Sequence, residues 1–358
     1  MGGSARCTER ARLGLNQLGF VEDIHHRAPS VLGTAMVGPH RMERSRMNIP
    51  PEPQQGPPNV HSEVDALRRE AAELRAQLAA LGDFPPGHYH SPIPLVDELK
   101  AREAMIWPAQ LPASLGGIDL NESHQRALMR KFSQYYHELP FRDEPVAGLR
   151  YSFDNVWFCY ADAIALYCMI RHLRPERIVE VGSGYSSAVM LDTNDLHFDG
   201  RIACTFIEPN TDRLLSLLRG EDAQRHSVID RPLQDVDLDV VEALAENDIL
   251  FIDSSHVSKV GSDVNRIFFD MLPALRAGVV VHLHDIVYPF EYPKEWVFEG
   301  RSWNEAYLLR AFLQYNTAFI IEWFGSFMIH SHRNRFAEQL PLCLRNPGGS
   351  IWLRKVRS

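Results

Sequence analysis

From Arg177 to Lys355 the chain repeats one pattern, a short apolar run followed by a longer segment with one apolar face. The runs fall at 177–181, 202–207, 226–229, 248–252, 278–283, 317–323 and 350–355. Between the first five lie segments of helical period, near 186–194, 211–219, 237–245 and 262–275. Runs apolar on both faces need cover on both sides, and helices between successive strands supply it. The pattern predicts an α/β fold built on a doubly wound, seven-stranded, mostly parallel sheet. A longer excursion over 325–349 separates the last two runs.

Upstream the pattern is different. Residues 1–60 show no sustained period and close on a proline-rich stretch, 48–58, which can continue neither helix nor ladder, so they read as a disordered extension. Residues 61–83 read as one amphipathic helix: Val64, Ala71 and Leu78 recur every seven positions, as do Leu67, Leu74 and Leu81, with charges between. Such a seam over 63–81 serves either as a short homodimerisation helix or as an amphipathic helix lying on its own domain. Residues 84–150 read as linker and helical cap, with a helix capped by Asn121 and running to about Tyr136 on Leu128, Phe132 and Tyr135. A further helix is expected from about Val156 to His172, inside an α/β domain spanning 151–358.

A formal charge of −9 argues against general attraction to nucleic acid or anionic membrane. Five dispersed cysteines, Cys7, Cys159, Cys168, Cys204 and Cys343, read as reduced thiols rather than a disulfide frame, which makes cytoplasmic the expected location.

The first strand runs into Glu180-Val-Gly-Ser-Gly-Tyr-Ser-Ser187. Gly182 and Gly184 let the backbone turn sharply into a helix and let a ligand approach closely, while the third glycine of dinucleotide-binding turns is missing. Glu208 ends the second strand, where a carboxylate can accept from both hydroxyls of a ribose. This acid–glycine turn, followed by Ile207-Glu208-Pro209, resembles motifs I and II of the class I S-adenosylmethionine (SAM) dependent methyltransferases over about residues 150–355, a Rossmann-like fold. The resemblance implies SAM as cofactor, with Glu180 near the methionine amino group, Gly182 and Gly184 lining its path, Ser186 or Ser187 on the carboxylate, and Glu208 on the ribose. Pro232-Leu-Gln-Asp235 is similar to the adenine-flanking segment of catechol-type O-methyltransferases, which implies Gln234 beside adenine.

The fourth strand ends in Phe251-Ile-Asp-Ser-Ser-His256 and the fifth in Val281-His-Leu-His-Asp285. Ligands of open parallel sheets gather at the carboxyl ends of the strands, so Asp253, His256, His284 and Asp285 are expected on one rim. Carboxylates and imidazoles together suit a divalent ion (Mg, Mn or Fe), a metal-free site in which His256 takes a proton and Asp285 orients the acceptor, or plain hydrogen bonding. The D-x-x-H then x-D pattern resembles metal-dependent O-methyltransferases, the macrolide-sugar kind in particular. That resemblance implies metal at Asp253 and Asp285, flanked by His284, with His256 as base. The chain departs from it at His284, where that family usually carries Glu, and at Ile286, where the catechol type carries Asn. His282 alternates away and reads as a core histidine.

Past Asp285 the loop is aromatic and charged, and Tyr288, Tyr292, Trp296, Arg301 and Trp303 are candidates either to contact a small-molecule substrate or to pack the loop down. Tyr151, Asn155, Trp157 and Tyr160 stand where a helical cover would lie, and His330 and His332 read as a surface turn. The expected reaction is O-methylation of a small metabolite or sugar. Its rivals are a metal-dependent hydroxylase on the same fold, similar to cephalosporin hydroxylases, and a non-catalytic SAM-binding subunit dimerised through 63–81.

Overall fold

The computed structural model describes residues 60–80, 82 and 84–357. Residues 1–59 of the extension expected over 1–60, with Cys7, and the heptad position Leu81 lie outside the described residues. Two compact units divide between Leu95 and Val96. In the first, helix α1 (Val60–Ala80) takes up residues 61–80 of the segment expected as a helix over 61–83. Alanine, leucine, glutamate and arginine dominate it, all strong helix formers, and Arg68 pairs with Asp65 one turn away at 3.3 Å.

The second unit contains the sheet, with strands β1 (Arg177–Val181), β2 (Ala203–Ile207), β3 (Ser227–Ile229), β4 (Ile249–Ile252), β5 (Val280–His284), β6 (Phe319–Phe324) and β7 (Ser350–Lys355). Their order is β3-β2-β1-β4-β5-β7-β6, parallel from β3 to β5, with β7 antiparallel to both its neighbours. Strand order reverses at β1, which pairs with β2 on one side and β4 on the other. That switch opens a crevice at the carboxyl ends of β1 and β4, where ligands of such sheets bind. Every residue of β4 and β5 is buried, the two histidines of β5 included. His282 lies in this interior, its ring stacked on Phe251 at 3.8 Å and against Trp352 at 4.7 Å, and burial holds its pKa well below the usual histidine value.

Helices α2 (Glu122–Tyr136), α3 (Ala161–Leu173) and α4 (Tyr185–Phe198) pack in sequence, α3 against both others. Helix α3 starts at Ala161 rather than 156 because the Asn155 side chain takes the Trp157 and Phe158 amides at 3.1 and 2.8 Å. A side chain that satisfies those donors locally holds the segment in a turn. Two further helices matter to the rim: α5 (Glu305–Leu313) and α6 (Gly325–Gln339). The latter corrects the reading of His330 and His332 as a surface turn within the 325–349 excursion. Phe327, Met328, Ile329 and Phe336 bury one face and make the segment helical, and His330 and His332 lie on it. It bends at His332 (φ −131°), whose ring nitrogen meets Glu122 at 3.0 Å.

The Arg150 guanidinium, 5% exposed, meets Asp192, Asp195 and Asp222 at 2.9, 2.8 and 2.7 Å and ties the segment before α3 onto α4. Cys159, Cys168, Cys204 and Cys343 are buried, and Cys168, Cys204 and Cys343 are free thiols. No helix among the described residues is long and apolar enough to cross a membrane.

Candidate active site

The glycine turn is defined by backbone contact. Gly182 has φ +79°, and a Cβ there would lie 2.0 Å from the carbonyl oxygen of Asp253, so any side chain would force β1 and β4 apart. The turn is stitched on both sides: Gly182 donates to Ile207 O at 3.0 Å, and Asp253 donates to Val181 O at 2.8 Å. Beneath it Glu180 is fully buried and accepts from Ser186 Oγ at 2.6 Å and from Ser187 Oγ. Both serines are buried and turned onto Glu180, while Ser187 Oγ also accepts from the Gly184 amide at 2.9 Å. Burial pushes the Glu180 carboxyl up to about 8, against the pull of its serine hydroxyls.

Glu208, half-buried at the end of β2, accepts from the Ser183 amide at 3.0 Å and from Asn210 at 2.7 Å. Glu180, Gly182, Gly184, Ser186, Ser187 and Glu208 are thus gathered around one strand-to-helix turn. Gln234 stands apart on the 3-10 turn Leu233–Asp235, exposed, its amide donating to Gly261 O at 2.8 Å. The donor set fits an adenosyl amino acid. A partly open carboxylate at a strand end offers acceptors to ribose hydroxyls, and a side-chain-free turn allows close approach.

Across the crevice the second cluster is built from charge. His256 is 6% exposed and sits just past β4 with φ +59°; Asp285 follows β5 with φ +55°. Left-handed backbone at non-glycine residues costs about 1–3 kcal/mol each and persists where the surroundings enforce it. They do so here. The amides of Asn304 and Glu305 both donate to the His256 carbonyl, at 3.0 and 3.1 Å, which clamps the loop onto the start of α5. Glu305 Oε2 then takes His256 Nδ1 at 2.9 Å and the Ser254 hydroxyl at 2.9 Å. The other ring nitrogen, Nε2, faces Asp253 at 3.4 Å and Asp285 at 3.6 Å.

Burial alone would favour neutral His256. The hydrogen bonds to Asp253 and Glu305 and the charges of Asp285 and Glu305 outweigh it and hold its pKa well above the usual value. His284, with Nε2 3.6 Å from Asp285, is raised too: burial is opposed by Asp285, Asp253 and Asp162. Asp253 responds in the opposite sense. Burial pushes it up, but His284 and His256 prevail and leave it below the usual carboxylate range. The expected metal ligands Asp253, His284 and Asp285 share this rim, yet the His256 ring reaches between the two carboxylates. Among the described residues no group of three or more His, Cys, Asp or Glu is disposed to hold a metal ion. The donor set as arranged does not fit one.

The aromatic loop supplies a wall. The Trp303 ring is 4.4 Å from that of His256, Trp296 is 5.6 Å from Trp303, and the Arg301 guanidinium lies 4.8 and 5.0 Å from the two indoles. Tyr288 and Tyr292 are buried: one hydroxyl donates to Pro112 O, and the other accepts from the Ala306 amide at 3.0 Å. Their surface goes into packing. Tyr151, Asn155 and Tyr160 are buried as well, whereas Trp157 is 46% exposed beneath the Arg213 guanidinium at 4.9 Å.

Three participants escaped the sequence reading. Glu305 is an acid in a helix's first turn, with nothing local to distinguish it from a solvated cap. Arg213 lies along the glycine turn, 3.1 Å from where a Gly184 Cβ would be. Asp162 of α3, buried and acting on His284 through its charge, accepts from the Gly349 amide at 3.2 Å and so fixes the loop that carries Gly349 O to the Ile286 amide at 2.9 Å.

Residues 179–286 match the family described as "Methyltransferase domain". An uncharacterized protein of Archaeoglobus fulgidus is 38% identical over 167 residues, which span 46% of this chain and 75% of that protein. Among solved structures, the SAM complex of the O-methyltransferase TomG from Streptomyces achromogenes is similar at 17% identity and a TM-score of 0.34, covering 64% of this chain and 90% of that one. The S-adenosylhomocysteine-bound methyltransferase PaMTH1 from Podospora anserina is 14% identical with a TM-score of 0.36, covering 74% and 98%. The matched domain runs from inside β1 to the residue after Asp285 and so contains the glycine turn and both strand-end clusters. Residues 179–286 are thus matched to a methyltransferase domain.

Proposed function

We propose that the chain methylates a hydroxyl oxygen of a small metabolite or sugar, with His256 as the base and without a metal. The observation that carries this reading is the Glu305–His256 pair. With Nδ1 anchored on Glu305 at 2.9 Å, the ring presents Nε2 to the rim between Asp253 and Asp285.

SAM, when bound, supplies a methyl group already electrophilic, so the residues must position the acceptor and remove its proton. A hydroxyl's pKa lies far above 7, and Nε2 is the nitrogen placed to receive that proton. Glu305 fixes the tautomer with hydrogen on Nδ1 and stabilises the imidazolium once the proton arrives. Asp285, its side chain 19% exposed, can accept from a second acceptor hydroxyl. Trp296 and Trp303, stiffened by Arg301, offer flat faces to a sugar or phenolic ring. Because the carboxylates favour protonated His256, turnover is expected to rise with pH through a value above that of an ordinary histidine.

The test is His256→Ala, assayed for SAM uptake by calorimetry and for S-adenosylhomocysteine release with hydroxylated acceptors. Uptake should persist while turnover falls by about 10²–10⁴-fold. Full turnover in the variant would remove His256 as base. Turnover that collapses under a chelator and returns with Mg, Mn or Fe would replace the metal-free reading.

A further inference from the structure

Helix α1 carries an apolar seam in the open: Val64, Leu67 and Leu74 are 37%, 59% and 51% exposed, with Ala71 half-buried between them. We propose that α1 pairs with α1 of a second copy of this chain as a parallel, in-register, two-stranded coiled coil. The argument rests on the charges beside the seam and is independent of the chemistry at the rim.

With Val64, Ala71 and Leu78 at the first apolar position of each heptad (a) and Leu67, Leu74 and Leu81 at the second (d), the flanking positions follow. Glu70 precedes an a residue and Arg75 follows a d residue, five positions later. In a parallel pair this is the spacing at which side chains bridge from one helix to the other. Glu70 of each copy therefore meets Arg75 of its partner, twice by symmetry, and Glu63 and Arg68 repeat the spacing one heptad earlier in the sequence. An antiparallel pair would set the glutamates facing each other and the arginines likewise, a repulsive arrangement. One helix thus bears both halves of a complementary edge, and the partner it fits is itself. Leucine at every d position, with valine at the first a position, is the composition that favours two strands over three.

Sedimentation equilibrium of the full chain at micromolar concentration should return twice the chain mass of 40.8 kDa. Glu70→Arg and Arg75→Glu, both on the exposed helix surface, should each weaken self-association about tenfold or more by placing like charges across both edges. Mixed one to one, the two variants should recover the double mass as a heterodimer, because each supplies the charge the other lacks. A single-chain mass for the unaltered protein overturns the proposal. So do single variants that dimerise undiminished, or a mixture that fails to recover.

Discussion

The two sides of the β1/β4 crevice solve the same problem, a sharp exit from a buried strand, by opposite means. At Gly182 the chain gives up its side chain, so a φ of +79° and contact with the Asp253 carbonyl come without strain. At His256 and Asp285 it keeps the side chain and tolerates φ values of +59° and +55°. The buried ionisable groups differ in the same way. Glu180 is sealed by two serine hydroxyls and driven toward its neutral form, while His256 is ringed by Asp253, Asp285 and Glu305 and driven toward its charged one. The turn holds by backbone fit, the rim by electrostatics. Substitutions that keep shape but change charge should therefore be tolerated on one side and damaging on the other.

The largest expected effect is at Gly182, where shape is everything. Gly182→Ala puts a methyl group 2.0 Å from Asp253 O at positive φ, so β4 must move or the turn must open. A loss of about 3 kcal/mol in unfolding free energy is expected from the clash and strain together, with SAM uptake lost in calorimetry. An alanine variant as stable as the parent would mean that β1 and β4 do not meet in this way.

How much of this was legible beforehand follows the same division. Every strand of the sheet could be read from its run, with β5 beginning at Val280 rather than 278 and β6 at Phe319 rather than 317 as the largest displacements at a strand start, because strands buried on both faces are apolar in composition. The glycine turn was legible because its residues are consecutive, and His256 and Asp285 because each ends a strand. Glu305 was not, since its role exists only after α5 docks its first turn onto the β4 loop. Ser186 and Ser187, read as ligand contacts, turn inward onto Glu180, and only the burial of that carboxyl explains why. The helix α6 went unread because its apolar residues, Phe327 to Ile329 and then Phe336, are too sparse to show a period around the bend at His332.

A charge change of intermediate size sharpens the electrostatic half. Glu305→Gln keeps the length of the side chain but removes the carboxylate on Nδ1. His256 should then lose its proton more readily, so the rising limb of the pH–turnover profile should move down by about one unit. Turnover at its plateau should fall about tenfold, since the imidazolium is no longer stabilised. KM for SAM should stay constant. A merely structural Glu305 would lower Tm and leave the pH profile in place.

The smallest effect is expected from the matching change on the other side, Glu180→Gln. A carboxyl whose folded pKa is raised favours the fold fully below its unfolded value and progressively less as pH rises through the folded one. For Glu180 the window runs from about 4.5 to about 8. At pH 5 the parent carboxyl is already neutral, and its amide isostere should differ by less than about 1 kcal/mol in unfolding free energy. As pH climbs through the window only the parent is weakened by Glu180, so the two thermal-stability curves should converge and then cross, with the variant the more stable at pH 9. Curves that stay parallel from pH 5 to pH 9 would mean that Glu180 carries its charge throughout, and the two sides of the crevice would then be held by the same kind of force.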